Sequence, residues 1–309
     1  MKDLLKDHGM DYFLKLFLSG TAKGSIYALI ALGYTMVYGI IQLINFAHGE
    51  VYMIGGFTAL IFGGFFYTMG MPVWMVLILS VILAVLFSSA FGFTIERIAY
   101  RPLRNKPRLS ALISAIGISM ILQNFVLLAQ TEKYLSYPSY LPEFAFLQPF
   151  RQYINSTQFI ILLVTAVIMI ILTVLIKFTR IGKAMRATAQ DKDMAQLVGV
   201  NINQVISITF IIGSALAAVG GVLICSYMGQ INYYIGFVAG IKAFVAAVLG
   251  GIGSIPGAVL GSFILGWTES LGTGYISSDY EDAFAFIILI LILVLKPDGI
   301  LGKNQKQKV

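Results

Sequence analysis

Eight long apolar runs divide this sequence, and most are about as long as a membrane span requires. They lie at residues 12–41, 49–68, 73–95, 109–130, 157–177, 205–228, 237–273 and 282–296. An α-helix needs about 20 apolar residues to cross a bilayer. A backbone in lipid must satisfy its own hydrogen bonds, and nothing here alternates as a barrel strand does. The sequence therefore predicts an all-α, polytopic transmembrane protein with roughly eight spans in one domain, residues 1–309.

Few residues are available for metal, redox or nucleotide chemistry. Of 309 residues, 58% are hydrophobic and 11% are charged, whereas a soluble domain carries about 25% charged residues. Cys225 is the single cysteine, and His8 and His48 are the two histidines, which is too few for a disulfide framework or a His/Cys metal site. The sequence has no GxxxxGK[ST] nucleotide-binding loop. We therefore expect this chain to bind no metal and no cofactor.

Two of the apolar runs contain residues that break a helix. INFAHGE places Asn45, His48 and Glu50 inside apolar sequence, and GGIGSIPG places glycines and a proline inside the longest run. We predict broken or re-entrant segments near 42–50 and 250–257. The preceding segments, GTAKGSIYALIALG and GFVAGIKAFVAAVLG, share a GxxxG start and a Leu-Gly end. This similarity predicts that the two breaks correspond within an internal repeat.

Positive charge is concentrated in two connections and in the tail. ERIAYRPLRNKPR and KFTRIGKAMRATAQDK each carry five Lys or Arg residues, and the chain ends in GKNQKQKV. The positive-inside rule places all three in the cytoplasm and the aromatic-rich segment TEKYLSYPSYLPEFAFLQPFRQY outside. The side of the N-terminus stays open, because three full spans before Arg97 put it outside whereas a half-span near INFAHGE puts it inside.

Acidic residues inside apolar runs are the usual sign of proton or ion coupling. Glu50, Glu96 and Glu269 are scattered along the sequence, and none has an obvious basic partner in a span. The sequence therefore argues against an ion-driven transporter.

The segment 178–204 is the longest polar-to-amphipathic stretch on the predicted cytoplasmic side. Its apolar stripe, at helical spacing, consists of Met185, Ala189, Met194, Leu197 and Val198. An interfacial helix on the membrane surface and a docking helix for a cytoplasmic protein both fit this pattern.

Five motifs, in this order, identify a family. They are GYTMVYGIIQLINFAHGEVYMIGG, IERIAYRPLR, LISAIGISMILQNF, RIGKAMRATAQDKDMAQLVGVN and KAFVAAVLGGIGSIPGAVLGSFILG. Together, from about residue 16 to residue 302, they resemble the branched-chain amino acid ABC transporter permeases of the LivH type. The resemblance implies a multi-pass subunit of the bacterial inner membrane that helps to import leucine, isoleucine or valine and is not an enzyme.

The resemblance also implies partners. In such importers a second permease, of the LivM type, completes the pore, and two cytoplasmic ATPase subunits, of the LivG and LivF types, bind beneath it and use ATP and Mg. An extracytoplasmic amino acid binding protein delivers the substrate. The remaining partner is the lipid bilayer, and no nucleic acid is expected.

ABC importer permeases carry a loop motif, EAA-x3-G, whose short helix sits in a cleft of the ATPase. Laid on this sequence, Gly199 takes the glycine and Ala195 the second alanine, while Asp193 stands for Glu and Met194 for the first Ala. The resemblance therefore makes 178–204 a cytoplasmic coupling segment. Its candidate contact residues are Arg186, Asp193, Ala195, Leu197, Val198 and Gly199.

The candidate residues of the substrate pathway are Asn45, His48, Glu50, Ser114 and Gln123. At a helix break, free backbone groups and polar side chains can line an amino acid's route. Alternatively, the polar residues of INFAHGE bond to one another and cap helix ends, because buried polar groups must be satisfied. Two further functions also remain open. The chain could serve urea or another small amide or amino acid, or it could be a stand-alone small-solute channel.

Overall fold

Eleven α-helices and one short β-pair make up the described part of the chain. The computed structural model describes residues 2–104 and 106–302, with side chains from Gly9 onward, so the side chain of His8 and the tail 303–309 lie outside the described residues. The helices are α1 (Lys2–Ile41), α2 (His48–Thr68), α3 (Val73–Ile95), α4 (Arg108–Ala129), α5 (Ser156–Phe178), α6 (Arg180–Gln190), α7 (Lys192–Leu197), α8 (Ile202–Met228), α9 (Ile235–Gly250), α10 (Ile255–Tyr275) and α11 (Glu281–Leu295). Strands β1 (Leu135–Ser136) and β2 (Gln230–Ile231) pair antiparallel.

The expectation of an all-α polytopic membrane protein is confirmed. Six of the described helices are long and apolar enough to cross a bilayer, and the bent pair of α9 and α10 brings the number to seven if it counts as one span. The last predicted run forms α11, which has 15 residues. At about 1.5 Å per residue it covers about 22 Å, which is short of the roughly 30 Å of a hydrocarbon core.

α1, α8 and α10 form the centre of the protein. In their most apolar stretches, 89% of α1 and 72% of α8 are buried, whereas only 22% of α5 is. Glycines let these backbones approach closely: a Cβ added at Gly20 of α1 would lie 2.8 Å from the carbonyl oxygen of Gly266 in α10. α1 meets α8 in the same way, at Gly33 and Gly213. Small residues in register therefore set the helix spacing.

The connections that are rich in arginine and lysine lie at one end of the bundle, and the connection 130–155 lies at the other end. Asp11, near the start of α1, accepts a hydrogen bond of 2.6 Å from Tyr153, which lies in the connection 130–155. Arg104 donates to Asn203 at 2.6 Å and so joins the two arginine- and lysine-rich connections at the other end. We call this second end the basic face. The start of α1 lies on the opposite face. From there α1 runs toward the basic face, α2 runs away from it, and α3 returns to it at Arg97.

The first predicted break occurs where α1 turns back into the bundle. α1 ends at Ile41, and Gln42 has a φ of +57°, the left-handed conformation that reverses the chain. Residues 43–47 return without helical structure, so α2 begins at His48 beside Gly33, eight residues before the end of α1. α2 therefore starts inside the bundle, about 12 Å from the basic face.

The second predicted break bends the chain by 119° between α9 and α10. Gly251 and Gly253 have φ values of +104° and +92°, which only glycine adopts readily. The last described residues close over this bend, since Leu301 donates a backbone hydrogen bond of 2.9 Å to Gly250. The helix-breaking sequence GGIGSIPG therefore forms a tight bend between α9 and α10.

The structure pairs the first break with a different segment from the one that the sequence similarity predicts. The segment that mirrors 42–47 is 229–234, which connects α8 to α9. α9 begins against the first turn of α2, because a Cβ at Gly49 would lie 2.8 Å from the Cα of Gly240. The order long helix, break, short helix thus occurs twice, in α1–α2 and in α8–α9. The sequence similarity instead paired α1 with α9, because both are rich in glycine and alanine.

Candidate functional site

The two interrupted helices α2 and α9 start at the same point inside the bundle. Gly49 of α2 contacts the carbonyl oxygen of Gly236 in α9, and a Cβ at Gly240 would lie 3.1 Å from the Cα of Gly49. We call this contact, formed by residues 48–50 and 235–240, the junction. The N-termini of two helices, and with them the positive ends of two helix dipoles, meet there. Such a point is suited to hold a negatively charged group.

Glu50 places a carboxyl group there. Its side chain is 1% exposed, and its Oε1 accepts hydrogen bonds from Gln123 at 2.7 Å and from Ser119 at 3.0 Å, both on α4. Its Oε2 faces Gly236, whose Cβ, if present, would be 2.6 Å away, and has no hydrogen-bond partner among the described residues. Leaving a buried acceptor unsatisfied costs about 1–3 kcal/mol. A group of this kind calls for a functional explanation.

Asn45 shapes the first break. Its Oδ1 accepts hydrogen bonds of 3.2 Å from the amide of Ala47 and from the hydroxyl of Tyr100, which also donates to the carbonyl of Ile44 at 3.0 Å. These bonds satisfy the amide oxygen without Glu50 or His48. Asn45 thus joins the non-helical return to Tyr100, in the segment that follows α3.

His48 points away from Glu50, toward α1 and α8. Its ring lies 4.9 Å from the ring of Tyr34, and it contacts both Gly33 and Gly213. Its Nε2 has no hydrogen-bond partner among the described residues. Two positions apart on a helix, His48 and Glu50 lie on nearly opposite faces. The structure therefore separates the polar residues of INFAHGE, and it contains no bond between the side chains of Asn45, His48 and Glu50 in the part of the chain it describes.

α4 contributes one predicted residue and one that the prediction missed. Gln123 contacts Glu50, and so does Ser119, four residues earlier on the same helix face. Ser114 is half-buried on another face of α4 and makes no bond to Glu50. Once Gln123 was singled out, the i, i+4 spacing in SMILQ could have identified Ser119.

Glu96 and Glu269 both have basic partners, so the expectation that they lack them is wrong. Glu96 contacts Arg104 and lies 3.4 Å from Arg101, at the basic end of α3. The partner of Glu269, on α10, is Lys242 of α9, 3.3 Å away, and Tyr27 of α1 donates to it at 2.7 Å. The partner of Glu269 comes from a different helix, so its position in the sequence gave no signal.

Lys242 is the centre of a larger ion network that sequence reasoning did not find. Besides Glu269, it contacts Glu281 at 3.3 Å and Asp282 at 2.8 Å, and Lys23 contacts Glu281 at 3.0 Å. The network joins α1, α9, α10 and α11. It holds α9, whose first turn faces Glu50, against three neighbouring helices.

The segment 178–204 forms two short helices on the basic face, not one interfacial helix. Asp191 ends α6 and caps α7, since its side chain accepts a hydrogen bond of 3.0 Å from the amide of Met194. Gly199 then has a φ of +86°, and the amide of Val200 donates to the carbonyl of Ala195 at 3.0 Å, which is a glycine-dependent helix end. α7 is therefore a short, well-capped helix between two membrane helices.

The side chains of α7 divide into an inner and an outer set. Leu197 and Val198 are 80% and 79% exposed, and Met194 is also exposed, whereas Ala195 is 3% exposed. Asp193 is exposed in the first turn of α7. Ala195 therefore packs inside the chain, and the exposed apolar surface consists of the three larger residues.

Basic residues surround α7. Partial burial lowers the pKa of Lys192, and the nearby positive charge of Arg104 lowers it further. Arg186 donates to the carbonyl of Ile176, at the end of α5, so its guanidinium turns back toward the membrane helix. The surface around the exposed apolar residues thus carries positive charge.

Comparison with known proteins identifies the family of this chain. Residues 16–293 match the family described as branched-chain amino acid transport system / permease component. The chain belongs to this family. Its members' name describes a transport permease, which agrees with the multi-pass fold and with the resemblance found in the sequence.

Two relatives of the chain are alike in length and similarity. The high-affinity branched-chain amino acid transport system permease protein LivH of Salmonella typhimurium is 49% identical over 302 residues, covering 96% of this chain and 98% of the relative. The permease protein BraD of Pseudomonas aeruginosa gives the same identity and coverage. Among solved structures, PsaBC from Streptococcus pneumoniae in complex with Fab matches with a TM-score of 0.44, 14% identity and coverage of 94% of this chain and 92% of that one.

Proposed function

We propose that this chain is the pore-forming permease subunit of a binding-protein-dependent ABC importer for leucine, isoleucine and valine. The observation that carries the proposal is the 49% identity to LivH over 96% of the chain. ATP and Mg are used by separate ATPase subunits, since this sequence has no nucleotide-binding loop. The proposed assembly contains a second permease of the LivM type, two ATPases of the LivG and LivF types and an extracytoplasmic binding protein.

The basic face is proposed to lie in the cytoplasm of a bacterial inner membrane. The positive-inside rule supports this orientation, because both arginine- and lysine-rich connections lie on that face. The C-terminal residues before the tail fold against the α9–α10 bend near the same face. The C-terminus is then cytoplasmic and the start of α1 extracytoplasmic.

The coupling segment is proposed to be α6 and α7, with α7 as the part that enters the ATPase. Leu197 and Val198 offer an apolar surface, and Met194 extends it. Gly199 lets the chain leave α7 and return to the membrane as α8. A short helix capped at both ends transmits motion between a moving ATPase and two spans, which a flexible loop does not. Ala195 is proposed to support this helix from within, Arg186 to hold α6 against the end of α5, and Asp193 to lie at the rim of α7.

The substrate pathway is proposed to pass the junction. Glu50 and Gln123 are its polar residues, Asn45 and His48 hold the break that creates it, and Ser114 lies nearer the start of α4. The spans as a whole are apolar and carry few fixed charges, so we expect the pore to distinguish poorly between apolar side chains. Selection of the amino acid then falls to the binding protein.

Affinity purification of the tagged chain from membranes of its own host tests the assembly. We expect a second permease of the same family and two proteins with the GxxxxGK[ST] motif to be recovered in mild detergent. The control is the same tag on an unrelated multi-pass membrane protein, which should recover none of them. Recovery of the chain alone, with solute flux that needs no ATP, would instead support the stand-alone channel.

A further inference from the structure

A carboxylate oxygen without a partner lies at the junction. Glu50 Oε2 is buried, faces the start of α9 and accepts no hydrogen bond from the described residues, although Oε1 of the same group accepts two. The bonds to Oε1 orient the carboxylate, because Ser119 and Gln123 fix it from the side of α4. The orientation of Glu50 Oε2 is therefore fixed by the hydrogen bonds to Oε1.

Glu50 forms no ion pair with the described residues. No Lys or Arg in the described residues lies within 4.0 Å of its carboxylate, whereas both other membrane-embedded glutamates, Glu96 and Glu269, have such partners. Natural proteins pair buried charges, and inside a membrane an ionisable group normally pairs or serves transport. Glu50 thus differs from the structural glutamates of the same chain in lacking a resident counter-charge.

We propose that Glu50 Oε2 binds the α-ammonium group of the transported amino acid as it passes the junction. This proposal rests on the proposed importer function and deepens it. An ammonium group supplies both the missing counter-charge and hydrogen-bond donors, at the point where two interrupted helices meet. A zwitterion fits this point, since the N-termini of α2 and α9 lie beside the carboxylate and attract the substrate's own carboxylate.

α4 covers Glu50 from one side through Ser119 and Gln123. It packs on the rest of the chain along one narrow stripe beside α2 and the turn Glu96–Tyr100, and Ile113, Ile121 and Leu128 on its outer side are exposed. Its start follows the arginine-rich connection, which Arg104 joins to Asn203 at the start of α8.

Substitutions of Glu50 test whether transport depends on the charge of its side chain or on its shape. Glu50→Gln keeps the acceptor for Ser119 and Gln123 but removes the charge, so in vesicles holding the full complex we expect the maximal rate of leucine uptake to fall at least about 30-fold. Glu50→Asp keeps the charge and should retain more uptake than the Gln variant. The matched control is Asn124→Ala on the same helix, whose amide bonds only within α4, to Met120. Wild-type uptake in the Gln variant would overturn the proposal.

A second measurement needs no variant. Dicyclohexylcarbodiimide, an apolar reagent for membrane carboxyl groups, is applied at pH 6 to the wild-type complex during turnover, and modified residues are located by mass spectrometry. We expect Glu50 to react, and leucine or 3-methylbutylamine to slow the reaction while 4-methylpentanoate, which has no amine, does not. Glu96 and Glu269 serve as internal controls. No modification of Glu50, or modification unaffected by the amines, would overturn the proposal.

These results also separate the two proposals. If wild-type vesicles take up leucine and the Gln variant does so equally well, the ammonium site is wrong and the importer function stands. If wild-type vesicles of the complete complex take up no leucine, the importer function itself fails.

Discussion

Replacing Leu197 and Val198 together by aspartate is expected to abolish ATP-driven uptake. Each side chain is about 80% exposed, so the fold should tolerate the change, whereas two charges in an apolar cleft would weaken ATPase binding by at least about 100-fold. The measurement is the amount of ATPase recovered with the tagged permease, together with leucine-stimulated ATP hydrolysis.

The matched control for this prediction is Gln196→Asp, which places one acid at an exposed polar position of the same helix. It should weaken ATPase binding far less. A double aspartate variant that recovers normal amounts of ATPase and hydrolyses ATP at the wild-type rate would show that α7 rests on lipid and does not dock. Ala195→Trp is a poor test, because Ala195 is buried and the larger side chain would disturb the permease itself.

Replacing Lys242 by methionine is expected to destabilise the permease by about 3–5 kcal/mol. The change leaves Glu269, which is fully buried, without a cation and removes the charge that faces Glu281 and Asp282. The measurement is thermal unfolding of the purified complex in detergent, compared with the wild-type protein.

Two further variants show whether the network is the cause. Lys23→Met removes a cation that pairs with Glu281 alone, so it should cost less than Lys242→Met. Adding Glu269→Gln to Lys242→Met removes the uncompensated charge and should restore part of the lost stability. Equal stability of Lys242→Met and wild type would contradict the network's structural role.

The sequence predicts the parts of this fold that depend on local chemistry. The apolar runs give the membrane helices, because the length of a span is fixed by bilayer thickness. The bend between α9 and α10 follows from Gly251 and Gly253, and the end of α7 follows from Gly199, because positive φ values strongly favour glycine.

Contacts between distant segments could not be predicted in this way. The junction joins Gly49 to Gly236, and Lys242 contacts Glu281 across a helix bend. Because the partners are far apart in the sequence, no local pattern predicts either contact. The helical spacing of the apolar stripe in 178–204 predicts one helix face, but Asp191 divides the segment into two helices. Ala195 then lies inside and Leu197 outside. For Glu50 the sequence indicated a polar residue in a break, and only the structure revealed its unpaired oxygen.

Uptake of radiolabelled leucine tests the central claim most directly. The full complex is reconstituted in vesicles with ATP and Mg inside and the binding protein outside. We predict that leucine accumulates against its gradient, that unlabelled isoleucine and valine compete with it, and that uptake stops when the binding protein is omitted or ATP is replaced by a non-hydrolysable analogue. Leucine or urea flux that continues unchanged without ATP and without the binding protein would contradict the account.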